Sequence, residues 1–177
     1  QKKINKNMIS VNLGKISHQW KDIPLSKKVD TLKMPLITKI PKYNSTTKYC
    51  TLQNIIAVNI GNPHVVFFGK KIKLLNLEKF GPKIEKNKLF PKKTNVEIVE
   101  IINRKKIKMR VWERGVGITL ACGSGACASV YASSLIKLTN KKVEVKLEKG
   151  SLYIEIKNNE AIMNGPAEIS YKGFIKV

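Results

Sequence analysis

The feature that most restricts the fold of this chain is the stretch over residues 124–137 (SGACASVYASSLIK), whose one charged residue, Lys137, is its last. Most of its residues are Gly, Ala, Ser or Cys, and the pattern predicts a helix. A helix without a charged face is buried on most sides. Small side chains also let neighbouring strands approach closely. The sequence therefore predicts a central buried helix wrapped by a sheet or barrel.

The remainder of the chain is rich in strand patterns. Apolar residues alternate with polar ones or form β-branched runs, typical of half-buried and buried strands, over residues 7–13, 51–60, 65–68, 95–102, 105–112, 143–147, 152–156 and 169–177. A second helix is predicted to start at Gly81, with Pro82 in its first turn. The fold class is α/β (α+β), with a mostly antiparallel sheet or barrel around the central helix.

The charge is strongly basic, with 34 Lys+Arg against 12 Asp+Glu and a formal net charge of +22. Only three of these are Arg, at positions 104, 110 and 114, and the Lys residues are scattered over nearly every segment. Because phosphate and base recognition favours Arg, this composition argues against nucleic acid as the main partner. No apolar run approaches the roughly 18–20 residues of a membrane span, so a membrane partner is not predicted.

The three cysteines show no C-x-x-C spacing. Neither a disulfide framework nor a zinc ribbon is therefore predicted, and the compartment is expected to be reducing, which points to the cytoplasm. Cys122 and Cys127 lie five residues apart, and the available histidines are His18 and His64. We predict no metal site and no cofactor site from these residues.

The stretch that carries chemistry is residues 112–127. A strand ends in the charged pair Glu113-Arg114, a glycine-rich loop follows, and Cys122 stands just before the central helix. The N–H groups and partial positive charge of a helix N-terminus stabilise an anion, so the pKa of this thiol is predicted to be lowered. The flanking glycines would let the same N–H groups hold a carboxylate. Alternatives are that Cys122 is an ordinary core residue, or that Gly-Ser-Gly binds phosphate, although the Lys of a P-loop is absent.

The segment over residues 113–129 (ERGVGITLACGSGACAS) resembles the second active-site motif of the diaminopimelate epimerases, a family of cofactor-independent amino-acid racemases. Further resemblances occur in the family's order, at residues 11–14 (VNLG), 61–64 (GNPH), 90–96 and 163–168 (MNGPAE). The likeness covers essentially the whole chain.

The resemblance implies a mechanism with two cysteines, one removing the substrate α-proton and the other delivering a proton to the opposite face. Cys122 would be one of these thiols, and Gly123 and Ser124 would donate N–H groups to the substrate carboxylate. The residues expected to hold the distal amino-acid end are Asn62, Asn95, Glu113 and Arg114, with His64 as an accessory. A carboxylate suits the guanidinium fork, and an ammonium suits the acidic side chain. The bland alternatives are turn residues for the asparagines and the histidine, and an exposed strand-end pair for Glu113-Arg114.

The family has two pseudo-symmetric halves, each with one catalytic cysteine in a glycine-rich loop, and this chain matches only the second. Cys50 stands in a strand-like run without adjacent glycines. We therefore expect this chain to be the C-terminal portion of a longer protein. The N-terminal half of that protein would be its partner, and the C-terminal portion alone would be inactive. Residues 1–35, with a C-terminal strand over about 170–177, would be remnants of the first domain, and residues 36–169 the second domain. A degenerate half-enzyme is the alternative.

The function implied by the resemblance is interconversion of LL- and meso-diaminopimelate, in lysine and peptidoglycan precursor synthesis. The expected partners are a small-molecule amino-acid substrate and a second copy in a homodimer. Two alternatives stay open. One is a related isomerase of the proline-racemase or phenazine-biosynthesis-like type, and the other is a basic nucleic-acid-binding module.

Overall fold

The computed structural model describes residues 2–5, 8–36, 51–169 and 171–175. These residues form ten strands and two α-helices: β1 (Lys2–Asn5), β2 (Met8–Lys15), β3 (Thr51–Asn59), β4 (Pro63–Lys70), α1 (Leu77–Glu85), β5 (Asn95–Asn103), β6 (Lys106–Glu113), β7 (Gly117–Thr119), α2 (Gly123–Leu135), β8 (Lys142–Leu147), β9 (Gly150–Lys157) and β10 (Glu160–Pro166). A short 3-10 helix covers Ile72–Leu74.

All ten strands belong to one sheet, in the order β1-β2-β10-β9-β8-β6-β5-β4-β3, with β7 paired to β6. Most neighbours are antiparallel, and the exceptions are β4 with β5 and β6 with β8. The sheet curls until its two ends meet. Ser17, just after β2, donates its N–H to Asn59 O at 3.0 Å, and Asn59 donates back to Ser17 O at 2.8 Å.

Helix α2 lies inside this curled sheet and touches seven strands, β3 to β6 and β8 to β10. Ala126, Cys127, Ala128 and Ala132 have no exposed surface. Their small side chains permit the close approach of so many strands, which would clash with larger residues. The predicted central helix and the predicted fold class are both confirmed.

Strands β4 and β5 are buried on both faces, because α2 covers one face and α1 with residues from the segment over 20–36 covers the other. Val66 and Phe68 pack on the α2 side, whereas Val65 and Phe67 pack on the α1 side. Side chains alternate along a strand. His64 in β4 and Glu97 in β5 are therefore directed to the α2 side, and both are fully buried.

The predicted start of the second helix is wrong. Helix α1 begins at Leu77, and its N-cap Asn76 accepts a hydrogen bond from Lys79 N at 3.0 Å through its side chain. This cap and the burial of Leu77 and Phe80 establish an earlier start. Pro82 consequently lies inside the helix, where it removes one backbone donor.

The predicted C-terminal strand over 169–177 is not found within the described part of that segment, because residues 171–175 have no regular structure and exposed side chains. Cys50 lies outside the described residues. Strand β2, predicted over residues 7–13, is confirmed, and it pairs with β10 in the same sheet. The division into a remnant of one domain and the whole of a second stays a prediction.

Neither helix in the described residues is long and apolar enough to cross a membrane.

Candidate active site

Cys122 is the N-cap residue of α2, with extended backbone angles (φ −142°, ψ 111°). Its Sγ accepts a hydrogen bond from Gly125 N at 3.3 Å and lies 3.5 Å from Ser124 Oγ. The side chain is 7% exposed, at the rim where the half-exposed first turn of the helix meets the exposed residues Leu120 and Ala121. The glycine-rich loop thus presents the thiol at the mouth of the curled sheet.

Burial raises the pKa of the Cys122 thiol from 9.0 to about 11. The negative charges of Glu97 and Glu113 add to this rise, while the Ser124 hydroxyl and the Gly125 N–H oppose it. The predicted lowering of the pKa is therefore wrong for this state, because loss of hydration outweighs the helix N-terminus. At neutral pH the thiol holds its proton, which is the form that can deliver one.

Two N–H groups at the start of α2, those of Gly123 and Ser124, have no hydrogen-bond partner among the described residues. Unpaired N–H groups at a helix N-terminus bind anions. The room beside Gly123 is filled, since a Cβ there would lie 2.9 Å from Met163 Sδ. A larger residue at position 123 would therefore have to displace the Met163 side chain, while the N–H groups stay available to a carboxylate.

Below the thiol lies a row of three polar side chains. His64 Nδ1 is 2.7 Å from Glu97 Oε1, and His64 Nε2 is 2.9 Å from Asn62 Oδ1. Glu97 Oε2 is buried and has no hydrogen-bond partner among the described residues. Glu97 also borders α2, because a Cβ at Gly125 would lie 2.8 Å from its Oε1. This acid therefore connects His64 and Asn62 to the helix that carries Cys122.

Asn95 joins two of the predicted site segments. Its Nδ2 donates to Pro63 O at 3.0 Å, and its Oδ1 accepts from Arg114 N at 2.9 Å. The Arg114 guanidinium donates to Lys92 O at 3.1 Å and is exposed. Asn95 thus holds the Asn62 turn against the Arg114 turn, and both its amide nitrogen and its amide oxygen have a partner within the protein.

Glu113 is half-buried at the end of β6 and accepts a hydrogen bond from the Thr119 hydroxyl of β7. The turn that follows it is anchored from behind by Glu85 of α1. Glu85 Oε2 accepts from Trp112 Nε1 at 2.7 Å, and Oε1 accepts from Gly115 N at 3.1 Å. The carboxylate of α1 and the Asn95 amide therefore both support the turn that carries Glu113 and Arg114.

The predicted residues thus form two groups. Cys122, Gly123 and Ser124 lie at the start of α2, and Asn62, His64, Asn95, Glu113 and Arg114 lie on strand ends and turns around it. Glu113 is near enough to the thiol to raise its pKa. Within the described residues, no three His, Cys, Asp or Glu side chains are arranged to hold a metal ion.

Two functional candidates, Glu97 and Glu85, were not predicted. Glu97 had a usable signal, because it is an acid between Val96 and Ile98 in a strand whose apolar neighbours indicate burial on both faces. Glu85 had none. It lies in a helix with abundant Lys, where an exposed acid is the ordinary expectation.

The chain resembles known proteins in sequence. A family model described as diaminopimelate epimerase matches residues 56–170. The diaminopimelate epimerase of Pelagibacter ubique is 40% identical over 166 residues, which are 92% of this chain and 58% of that protein. That of Carboxydothermus hydrogenoformans is 42% identical over 171 residues, covering 96% and 59%. The chain thus spans a little under three fifths of the length of these relatives.

Solved structures resemble the chain in fold. A protein of the phenazine biosynthesis PhzF family from Enterococcus faecalis superposes with a TM-score of 0.59 at 14% identity, over 98% of this chain and 59% of that one. A protein from Pseudomonas aeruginosa described as a predicted epimerase gives a TM-score of 0.52 at 12% identity, over 95% and 61%. The match of the family model to most of the chain, with its motifs at one site, shows that this chain belongs to the diaminopimelate epimerase family.

Proposed function

We propose that this chain supplies one acid/base thiol and substrate-binding groups of an enzyme that interconverts LL- and meso-diaminopimelate without a cofactor. The reaction would serve lysine and peptidoglycan precursor synthesis in the cytoplasm. The observation that carries the proposal is Cys122 at the N-cap of α2, beside two open N–H groups, in a member of this family.

The role that suits Cys122 in the described state is proton donation. With a pKa of about 11 the thiol is protonated at neutral pH. A thiolate on one face of the substrate would remove the α-proton, and Cys122, on the opposite face, would deliver its own proton there and so invert the α-carbon. The chain is then left with a Cys122 thiolate, which serves as the base in the reverse direction.

The second thiol has to come from outside the described residues. Cys127, the other cysteine described, has no exposed surface and lies within α2, and burial raises its pKa to about 12. We therefore expect this chain alone to be inactive in epimerisation.

Removal of an α-proton places negative charge on the α-carbon and its carboxylate. The Gly123 and Ser124 N–H groups, at the positive end of α2, are placed to receive that carboxylate. Such fixed dipoles stabilise the developing charge without a cofactor. They also orient the α-carbon beside Cys122 Sγ, because the thiol belongs to the same turn.

The distal end of the substrate would meet the strand-end group. Glu113 offers a carboxylate for an ammonium, and the exposed Arg114 guanidinium offers a fork for a carboxylate. Asn62 adds its amide N–H₂, which has no protein acceptor among the described residues. This set favours a substrate with a second amino-acid end.

The direct test is solvent deuterium exchange at the α-carbon of diaminopimelate, followed by NMR, on the full-length protein that includes the second thiol. We expect exchange in the wild type, a loss of at least about 1,000-fold in Cys122→Ala, in keeping with removal of a positioned acid or base, and near-wild-type exchange in Cys127→Ala. Cys127→Ala is the matched control because it removes a thiol from the same helix. Full exchange by Cys122→Ala would contradict the assigned role.

The alternatives predict different results. An isomerase of the phenazine-biosynthesis-like type, which the fold likeness leaves open, would also turn over a mono-amino acid that lacks the distal ammonium. A nucleic-acid-binding module would bind duplex or RNA with an affinity that falls steeply with salt. The homodimer stays a prediction, and light scattering of the purified protein tests it.

A further inference from the structure

The side chain of Glu113 has no partner directly opposite it across the β6–β7 pair. It belongs to the same face of the sheet as Val111, two residues earlier in β6, which packs in the core around α2. The residue opposite Glu113 in β7 is Gly117, which carries no side chain. Directly opposed side chains stabilise each other in an antiparallel pair. Glu113, at the end of its strand, therefore needs another contact to hold one orientation.

That contact comes from Thr119, the diagonal neighbour of Glu113 in β7. Thr119 is paired with Val111 and therefore shares the face to which Glu113 belongs. Diagonal neighbours in a sheet are within reach of long side chains. The Thr119 hydroxyl donates to Glu113 Oε1 and thus supplies the support that the opposed glycine cannot give.

The hydroxyl of Thr119 has a single proton to donate. Its oxygen also lies 3.5 Å from Ala121 O, which is at the limit of a hydrogen bond, whereas the Glu113 oxygen is much nearer. The contact with Glu113 is therefore the stronger of the two. It occupies Oε1 and leaves Oε2 without a protein partner among the described residues. Because Glu113 is only half-buried, Oε2 is the oxygen that a ligand can reach.

We propose that Thr119 is a positioning residue, which fixes one oxygen of Glu113 and directs the other to the distal ammonium of the substrate. A carboxylate already held in one orientation loses less side-chain entropy when it binds a cation. Thr119 thereby strengthens the preference for a substrate with a second amino-acid end. The identity of that substrate as diaminopimelate rests on the proposed function, whereas the hold on Glu113 rests on the geometry of β6 and β7.

The test compares two ligands that differ only in the distal ammonium, LL-diaminopimelate and L-2-aminopimelate. Calorimetry gives their dissociation constants for the full-length protein, in which Cys122→Ala prevents turnover during the titration. We expect this parent protein to prefer diaminopimelate by about tenfold, the contribution of one hydrogen bond to a charged group. Adding Thr119→Val, which keeps the shape of the side chain, should lower the preference about fivefold, because Glu113 is then immobilised only on binding. Thr119→Ser should retain it.

Thr139→Val is the matched control, because it removes a hydroxyl that is buried against Ser133, beyond the C-terminal end of α2. It should leave the preference unchanged, whatever its effect on stability. An unchanged preference in Thr119→Val, or a parent protein that does not distinguish the two ligands, would overturn the proposal. If the parent protein shows the preference but the protein with Cys122 intact exchanges no α-proton, the proposed function fails and the role of Thr119 stands.

Discussion

Two glutamates are buried in the described part of the chain, and their carboxylates bind their neighbours in different ways. Glu85 in α1 uses both oxygens, one on the Trp112 indole and one on the Gly115 N–H. Glu97 in β5 uses one oxygen on His64 and leaves the other without a partner in the described structure. A carboxylate whose two oxygens both accept hydrogen bonds holds the donor groups in place. A carboxylate with one oxygen unpartnered acts on neighbouring groups through its negative charge.

The two acids therefore have different roles, because Glu85 supports the site whereas Glu97 affects the acidity of the Cys122 thiol. Glu85 holds the turn that carries Glu113 and Arg114, and its oxygens are directed at protein groups. The charge of Glu97 helps to raise the pKa of the Cys122 thiol, and its carboxylate contacts His64, which in turn contacts Asn62. One glycine lies against each of these regions, Gly81 on the Glu85 side and Gly125 on the Glu97 side, so substitutions at the two glycines test the difference.

The largest effect is expected from Gly81→Ala. Its Cβ would lie 2.4 Å from Trp112 Cγ and 2.8 Å from Trp112 Cβ, at the rigid root of that side chain. Relief requires movement of α1 or β6, so the free energy of unfolding should fall by about 3 kcal/mol. Urea denaturation measures this.

Gly125→Ala is the matched variant on the other side. Its Cβ would meet Glu97 Oε1 at 2.8 Å, which is the far end of a flexible side chain. Stability should change by about 1 kcal/mol or less, since alanine also favours the helix, while exchange activity is largely lost through displacement of Glu97 and Cys122. Equal loss of stability in the two variants would contradict the contrast.

The second effect is a dependence of the free energy of unfolding on pH, which arises from the Cys122 thiol. The folded-state pKa of this thiol, about 11, is above the unfolded value of 9.0. The resulting stabilisation is complete below pH 9 and is lost as the pH rises to about 11. Wild type should therefore lose about 2 kcal/mol relative to Cys122→Ala over this window.

Denaturation of both proteins at several alkaline pH values gives that difference, in which the titration of the many Lys residues cancels. Trp112→Phe, on the Glu85 side, serves as the comparison and should show the same slope as the wild type. A flat difference between wild type and Cys122→Ala would mean that burial does not control the acidity of the thiol.

The smallest effect compares one substitution at the two acids. Glu85→Gln replaces an accepting oxygen with an N–H₂ that faces the donor of Trp112 or Gly115, and should cost about 1.5–2 kcal/mol. Glu97→Gln can keep its oxygen toward His64 and place its N–H₂ where the unpartnered oxygen stood, and should cost about 0.5 kcal/mol, the low end for one hydrogen bond. Thermal and urea unfolding of both variants measures the costs, and the reverse ranking would contradict this account.

Part of the fold could be predicted from residues that are adjacent in the sequence. The charge-free segment over 124–137 predicted the central helix, and alternation predicted strands at β2, β5, β6, β8 and β9. The start of α1 was misplaced because the Gly81-Pro82 pair suggested a boundary, whereas the Asn76 cap and the buried Leu77 place it one turn earlier. The predicted end strand had an apolar pattern, but residues 171–175 have no sheet neighbour in the described structure.

The candidate active site could likewise be predicted only in part. The place of Cys122 between a glycine-rich loop and a helix could be predicted, because residue size, glycine spacing and period are properties of adjacent residues. The folded chain adds three facts: burial and two carboxylates raise the pKa of this thiol, Asn95 supports two turns, and Glu97 contacts His64 although 33 positions separate them. Hydration and charge act through space, so their balance exists only after distant strands are brought together.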